Sequence, residues 1–71
     1  MIKFLIVMEQ ADDGGFGAYV PDLPGCIGMG DTYDAALENI IEGIKFHLEG
    51  MNEEGLEIPT PNAKSEMLIL T

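Results

Sequence analysis

From Ile2 to Glu9 the chain is apolar at both sets of alternating positions, with Ile2, Phe4, Ile6 and Met8 on one side and Leu5 and Val7 on the other. A short run that is apolar on both faces reads as a central strand rather than an edge strand. Gln10 to Gly15 breaks the run with Asp12-Asp13-Gly14-Gly15, a turn signal. Phe16 to Val20 is therefore predicted to return as an antiparallel partner, and Pro21 ends it. Cys26 to Met29 reads as a short third strand, in which Gly28 and Gly30 suggest a bulge or the close approach of another backbone.

From Tyr33 onward the apolar period changes from two to 3.6. Tyr33, Ala36, Leu37, Ile40, Ile41, Ile44, Leu48 and Met51 form one stripe of a long helix. Asp31 or Thr32 can cap it, and Asp34 places negative charge in the first turn, where the helix dipole favours it. Gly43 and Gly50 cost about 1 kcal/mol each relative to Ala, which points to a packing reason for them. Gly55 suits the residue after the helix, and Leu56 to Ala63, with Pro59 and Pro61, reads as an extended connector. Met67-Leu68-Ile69-Leu70, within 65–71, then predicts a last strand that is again apolar on both faces.

The expected fold is α+β with the order β-β-β-α-β. The last strand would lie beside the first in a four-stranded mixed sheet of order 3-2-1-4, with one helix on one face and a right-handed crossover. One helix covers one face only, so Leu5, Val7, Leu68 and Leu70 are left as surplus apolar surface and are the expected oligomer interface. On a helical wheel Phe46 falls nearly opposite Ile40 and Ile44, among Asn39, Glu42, Glu49 and Glu53. It is either a tolerated surface aromatic or an interface anchor with an acidic rim. Glu38, Glu42, Phe46 and Glu49 are accordingly the candidate partner-binding residues.

Composition narrows the function. At 71 residues the chain is expected to be one domain, and a domain of this size buries only about 60% of its unfolded surface. The single cysteine, Cys26, allows no intrachain bridge, which leaves self-association, as a dimer or tetramer, as the expected source of further burial. Thirteen acidic residues stand against three lysines and no arginine, a net charge of −10. That balance argues against direct nucleic-acid binding, which needs clustered cations. It suits a basic protein partner, and it also suits simple solubility. The N-terminal apolar run is too short to span a bilayer and lacks a cleavage pattern, so a cytoplasmic protein without membrane contact is expected. An unpaired cysteine agrees with a reducing compartment.

Few residues could do chemistry. His47 borders the apolar stripe and has no serine or cysteine partner at a motif spacing. Cys26 follows a Pro-Gly turn with no base nearby and reads as a small packed residue. Gly25-Cys26-Ile27-Gly28-Met29-Gly30 lacks both the lysine and the order of a phosphate loop. Glu9, Asp12 and Asp13 could in principle hold Mg²⁺, but acids beside Gly-Gly are ordinary turn formers. No catalytic residue, metal or cofactor is expected.

The most distinctive stretch is Pro21-Asp22-Leu23-Pro24-Gly25-Cys26, followed by Gly30-Asp31-Thr32 and the helix start Ala35 to Asn39. Its prolines fix φ, Pro24-Gly25 favours a turn with positive φ at the glycine, and Asp22 can bond its own downstream backbone. With Asp13-Gly14-Gly15-Phe16 ahead of it, this string resembles the N-terminal domain of HicB-like antitoxins over nearly the whole chain. The resemblance implies a truncated RNase H-like fold without nuclease chemistry, and a domain that masks a small basic HicA-like mRNA-interferase toxin. Two-domain members add a C-terminal helix-turn-helix or ribbon-helix-helix segment for operator binding. Residues 1–71 are expected to be a single HicB-like domain without that DNA-binding segment. The alternative is a homo-oligomeric regulatory or structural module with no toxin partner and no catalysis.

Overall fold

The first hairpin is set by its turn. Asp13 Oδ1 accepts from the Gly15 amide at 2.9 Å, Ala11 N donates to Gly15 O at 2.7 Å, and Gly14 N donates to Ala11 O at 3.0 Å. In the computed structural model, which describes residues 1–71, this turn joins β1 (Val7–Gln10) to β2 (Phe16–Tyr19), with Val7 opposite Tyr19 and Gln10 opposite Phe16. β2 pairs in turn with β3 (Ile27–Gly30), placing Ala18 opposite Gly28 and Tyr19 opposite Ile27. The sheet is antiparallel throughout, with three strands in the order β1-β2-β3.

Strand alternation gives the sheet two unlike faces. Ala18 and Gly28 are buried beneath the helix, and Phe4, Ile6 and Met8 pack against the same core. Val7, Tyr19 and Ile27 point the other way. The Pro21 to Cys26 segment turns into the core rather than looping over it. Leu23 N donates to Val20 O at 3.0 Å and Cys26 N to Leu23 O at 3.1 Å, and Val20, Leu23 and Cys26 are only 2%, 1% and 6% exposed. Gly25 takes the positive φ, 87°, that the Pro-Gly pair demands.

The helix α1 (Tyr33–Glu53) is capped by Thr32, whose Oγ1 accepts from Ala35 N at 3.1 Å. Its C-terminus closes in a Schellman arrangement, with Gly55 N donating to Asn52 O at 3.2 Å and Leu56 N to Met51 O at 2.8 Å. Ala36 and Ile40 are its fully buried positions, with Leu37, Ile44 and Leu48 packed beside them. The helix sits tightly on β3. A Cβ on Gly28 would lie 2.7 Å from Ile40 N, and one on Gly30 would lie 2.5 Å from Ala36 N. These glycines therefore mark a close backbone approach. Tyr33 packs edge-on to Phe16 with centroids 5.7 Å apart and closes that end of the layer.

Three expectations are corrected. There is no fourth strand, and the four-stranded sheet of order 3-2-1-4 with its RNase H-like last strand is replaced by β-β-β-α. The Asp22 carboxylate accepts from Asn62 N and Ala63 N, both at 3.2 Å, and pins the connector at the β2–β3 turn. Beyond it Met67, Leu68, Ile69 and Leu70 are 83–90% exposed. A periodic apolar run establishes extended backbone, but only a neighbour with free backbone groups makes it a strand. For the same reason β1 begins at Val7, not Ile2: residues 1–6 run past the end of β2 and make no backbone–backbone hydrogen bond. Finally, Gly43 and Gly50 are not required by packing. A Cβ on Gly43 would meet Cys26 Sγ at an ordinary 3.8 Å, and one on Gly50 would meet nothing within 4 Å.

Candidate functional site

Surface, not cavity, is where this molecule has chemistry to offer, and the helix carries the most charged part of it. Glu38, Glu42, Phe46 and Glu49 are all solvent-exposed on α1, Phe46 at 79%. Their spacing of three to four residues places them along one side of the helix. Lys45 reaches Glu42 at 3.9 Å in an exposed i,i+3 pair, too solvated to neutralise the face. Glu53 continues the charge into the last turn, which holds no basic residue.

The second surface is the uncovered sheet face. Tyr19, Ile27 and Met29 are 41%, 67% and 71% exposed, and the strand register sets Val7, Tyr19 and Ile27 in one row. Leu5 and Val7 are half-buried at its edge. Leu68 and Leu70, each 83% exposed, do not join Leu5 and Val7, so the four candidate interface residues fall into two groups. Sequence reading missed Tyr19, Ile27 and Met29. The signal was present as alternation opposite Ala18 and Gly28, but the glycines hid which face the helix would take.

Within the Pro21, Asp22, Leu23, Pro24, Gly25 and Cys26 motif, Leu23 and Cys26 are core and Asp22 bonds the connector. Gly30 lies under the helix start, and Asp31 leads into the Thr32 cap. Burial pushes the Cys26 thiol pKa up, which disfavours the thiolate a nucleophile needs. The acids of the first hairpin do not converge, because Asp13 is used in its own turn, and nowhere do three His, Cys, Asp or Glu side chains gather as a metal set. No helix is long and apolar enough to cross a membrane.

With this geometry in view, known proteins sort the chain. Residues 4–69 match the family described as HicB_like antitoxin of bacterial toxin-antitoxin system. The chain belongs to the HicB-like antitoxin family. A protein of Haemophilus phage HP1, described as an uncharacterized 14.9 kDa protein, is 46% identical over 57 residues, which are 80% of this chain and 42% of that protein. This HicB-like chain thus spans less than half the length of that curated relative. Among solved structures it resembles the N-terminal domain of Burkholderia pseudomallei antitoxin HicB, with a TM-score of 0.78 and 33% identity over 86% of this chain and 72% of that one. It also resembles a chain of a HicA3 and HicB3 toxin-antitoxin complex, with a TM-score of 0.70 and 27% identity, covering 87% of this chain and 72% of that one.

Proposed function

We infer that this chain acts as an antitoxin that binds and masks a basic HicA-like mRNA-interferase toxin. Family membership over residues 4–69 carries the reading, and the solved HicA3–HicB3 complex is a precedent for such a pair. The binding surface is the acidic side of α1, with Phe46 as anchor and Glu38, Glu42 and Glu49 as rim. Glu49 and Glu53 carry the acidic side into the C-terminal half of the helix, and Glu53 lies in the last turn, where the dipole opposes it. An acidic face of this kind suits a cationic partner, which a field of this sign steers into place. The role is non-catalytic, and a chain with no arginine makes no direct nucleic-acid contact of its own.

The molecule also self-associates, using the apolar surface that includes Leu5, Val7, Leu68 and Leu70. Its compartment is the cytoplasm, and the described chain acts as a single domain.

Co-expression with a short, Lys/Arg-rich HicA-like protein, followed by size-exclusion chromatography, tests the antitoxin reading. We expect a complex at low salt that weakens as salt rises and is lost with Phe46→Ala. Separate elution of the two proteins at low salt overturns it.

A further inference from the structure

Two extended segments of this chain have open backbones. Residues 1–6 and 64–71 make no backbone–backbone hydrogen bond, yet both are apolar, and the second projects with Met67 at 90% and Leu68, Ile69 and Leu70 at 83–85% exposure. The projection shows in the radius of gyration, 13.7 Å against about 11 Å for a compact chain of this length. We propose that residues 64–71 form an arm that pairs along residues 1–6 of a second copy of this chain, reciprocally. This rests on the self-association proposed above and specifies how it is made.

Four observations select a second copy as the occupant. The connector is anchored to Asp22 through Asn62 and Ala63, so the arm leaves its own sheet instead of folding back. Residues 58–61 run beside residues 1–3 across an open groove of about 430 Å³, but Pro59 and Pro61 have no N–H to donate and cannot close that edge. The amides and carbonyls of residues 1–6 therefore have no backbone partner within the chain. Charge is segregated in the same sense: the two segments together carry Lys3, Lys64 and Glu66, that is two of the three lysines and one of the thirteen acids. Two chains of net charge −10 can meet there with least repulsion. The extent is also right. At about 100 Å² for each of four large apolar side chains, counted on both surfaces of both arms, complete burial would reach at most on the order of 1,600 Å², within the range of a stable interface. A two-fold axis makes the contact self-complementary and closed, leaving no free arm to propagate.

The test uses the full chain alone, with no partner protein. Sedimentation equilibrium is expected to give twice the chain mass, and Leu68→Glu/Leu70→Glu is expected to return the single-chain mass while keeping the helical part of the far-UV circular dichroism spectrum. These side chains are exposed in the single chain, so the variant has no core to lose. In a one-to-one mixture of isotope-labelled and unlabelled chains, filtered NOE spectra are expected to show contacts between residues 1–6 of one copy and 66–70 of the other. A dimer whose intermolecular contacts lie instead on Tyr19, Ile27 and Met29 overturns the exchange while leaving self-association standing. A monomer at several hundred micromolar overturns both, and neither result bears on the toxin-binding experiment.

Discussion

Gly28 and Gly30 set the distance between the helix and β3, and that distance decides which side chains form the core. With a Cβ on Gly28 only 2.7 Å from Ile40 N and one on Gly30 only 2.5 Å from Ala36 N, the obstacle is backbone, which cannot swing aside. Gly28→Ala and Gly30→Ala are each expected to destabilise by about 1–3 kcal/mol. Gly50→Ala, with nothing within 4 Å, is expected to stabilise by about 1 kcal/mol through helix propensity alone. Urea denaturation of the three variants checks both signs. Cys26 supplies a pH dependence. Its thiol pKa is raised by burial, so the folded state holds the proton more tightly than the unfolded one. The resulting stability is complete below the unfolded thiol value and is lost as pH rises through the folded value. In urea melts across the alkaline range, Cys26→Ala is expected to fall less steeply than the parent chain.

At the scale of elements, the helix shows a conflict between local stability and surface charge. Thr32 and Asp34 agree with the dipole at its N-terminus, whereas Glu53 opposes it at the other end. Glu53→Lys is expected to raise thermal stability slightly, by about a few tenths of a kcal/mol, while lowering the association rate with a basic partner. Thermal melts and stopped-flow association at low salt measure the two effects, and a loss of stability would mean that Glu53 does not oppose the helix. The helix was legible because its cues are local: a 3.6-period stripe, a capping threonine, and Gly55 beyond the end. The hairpin was legible for the same reason, through Asp12-Asp13-Gly14-Gly15. The last strand was not. Met67 to Leu70 has a strand's pattern, but a strand is a relation between two backbones, and the anchor that separates this one from its own sheet is a hydrogen-bonded contact between Asp22 and residues 62–63, distant in sequence.

The whole molecule is a thin layer of one helix on three strands with two apolar surfaces left over, the open sheet face and the projecting arm. A domain this small gains most from a partner that covers such surface. Thermal stability of the full chain is therefore expected to rise with protein concentration, and Leu68→Glu/Leu70→Glu is expected to abolish that dependence; scanning calorimetry over a hundredfold concentration range measures it.

What the sequence determined by itself was whatever adjacent residues control: the turns, the helix with its cap and stop, the acidic charge, and the family-marking Pro21 to Cys26 string. Exposure of Phe46 among glutamates also followed, since a helical wheel is a local construction. Tertiary structure alone decided that Gly28 and Gly30 face the helix, that Tyr19, Ile27 and Met29 face solvent, and that the string turns inward to bury Leu23. It alone decided, too, that residues 64–71 leave the sheet. The physical reason is common to all of these. Periodicity tells which residues share a face, whereas the neighbour that covers that face is chosen by contacts between residues far apart in the chain.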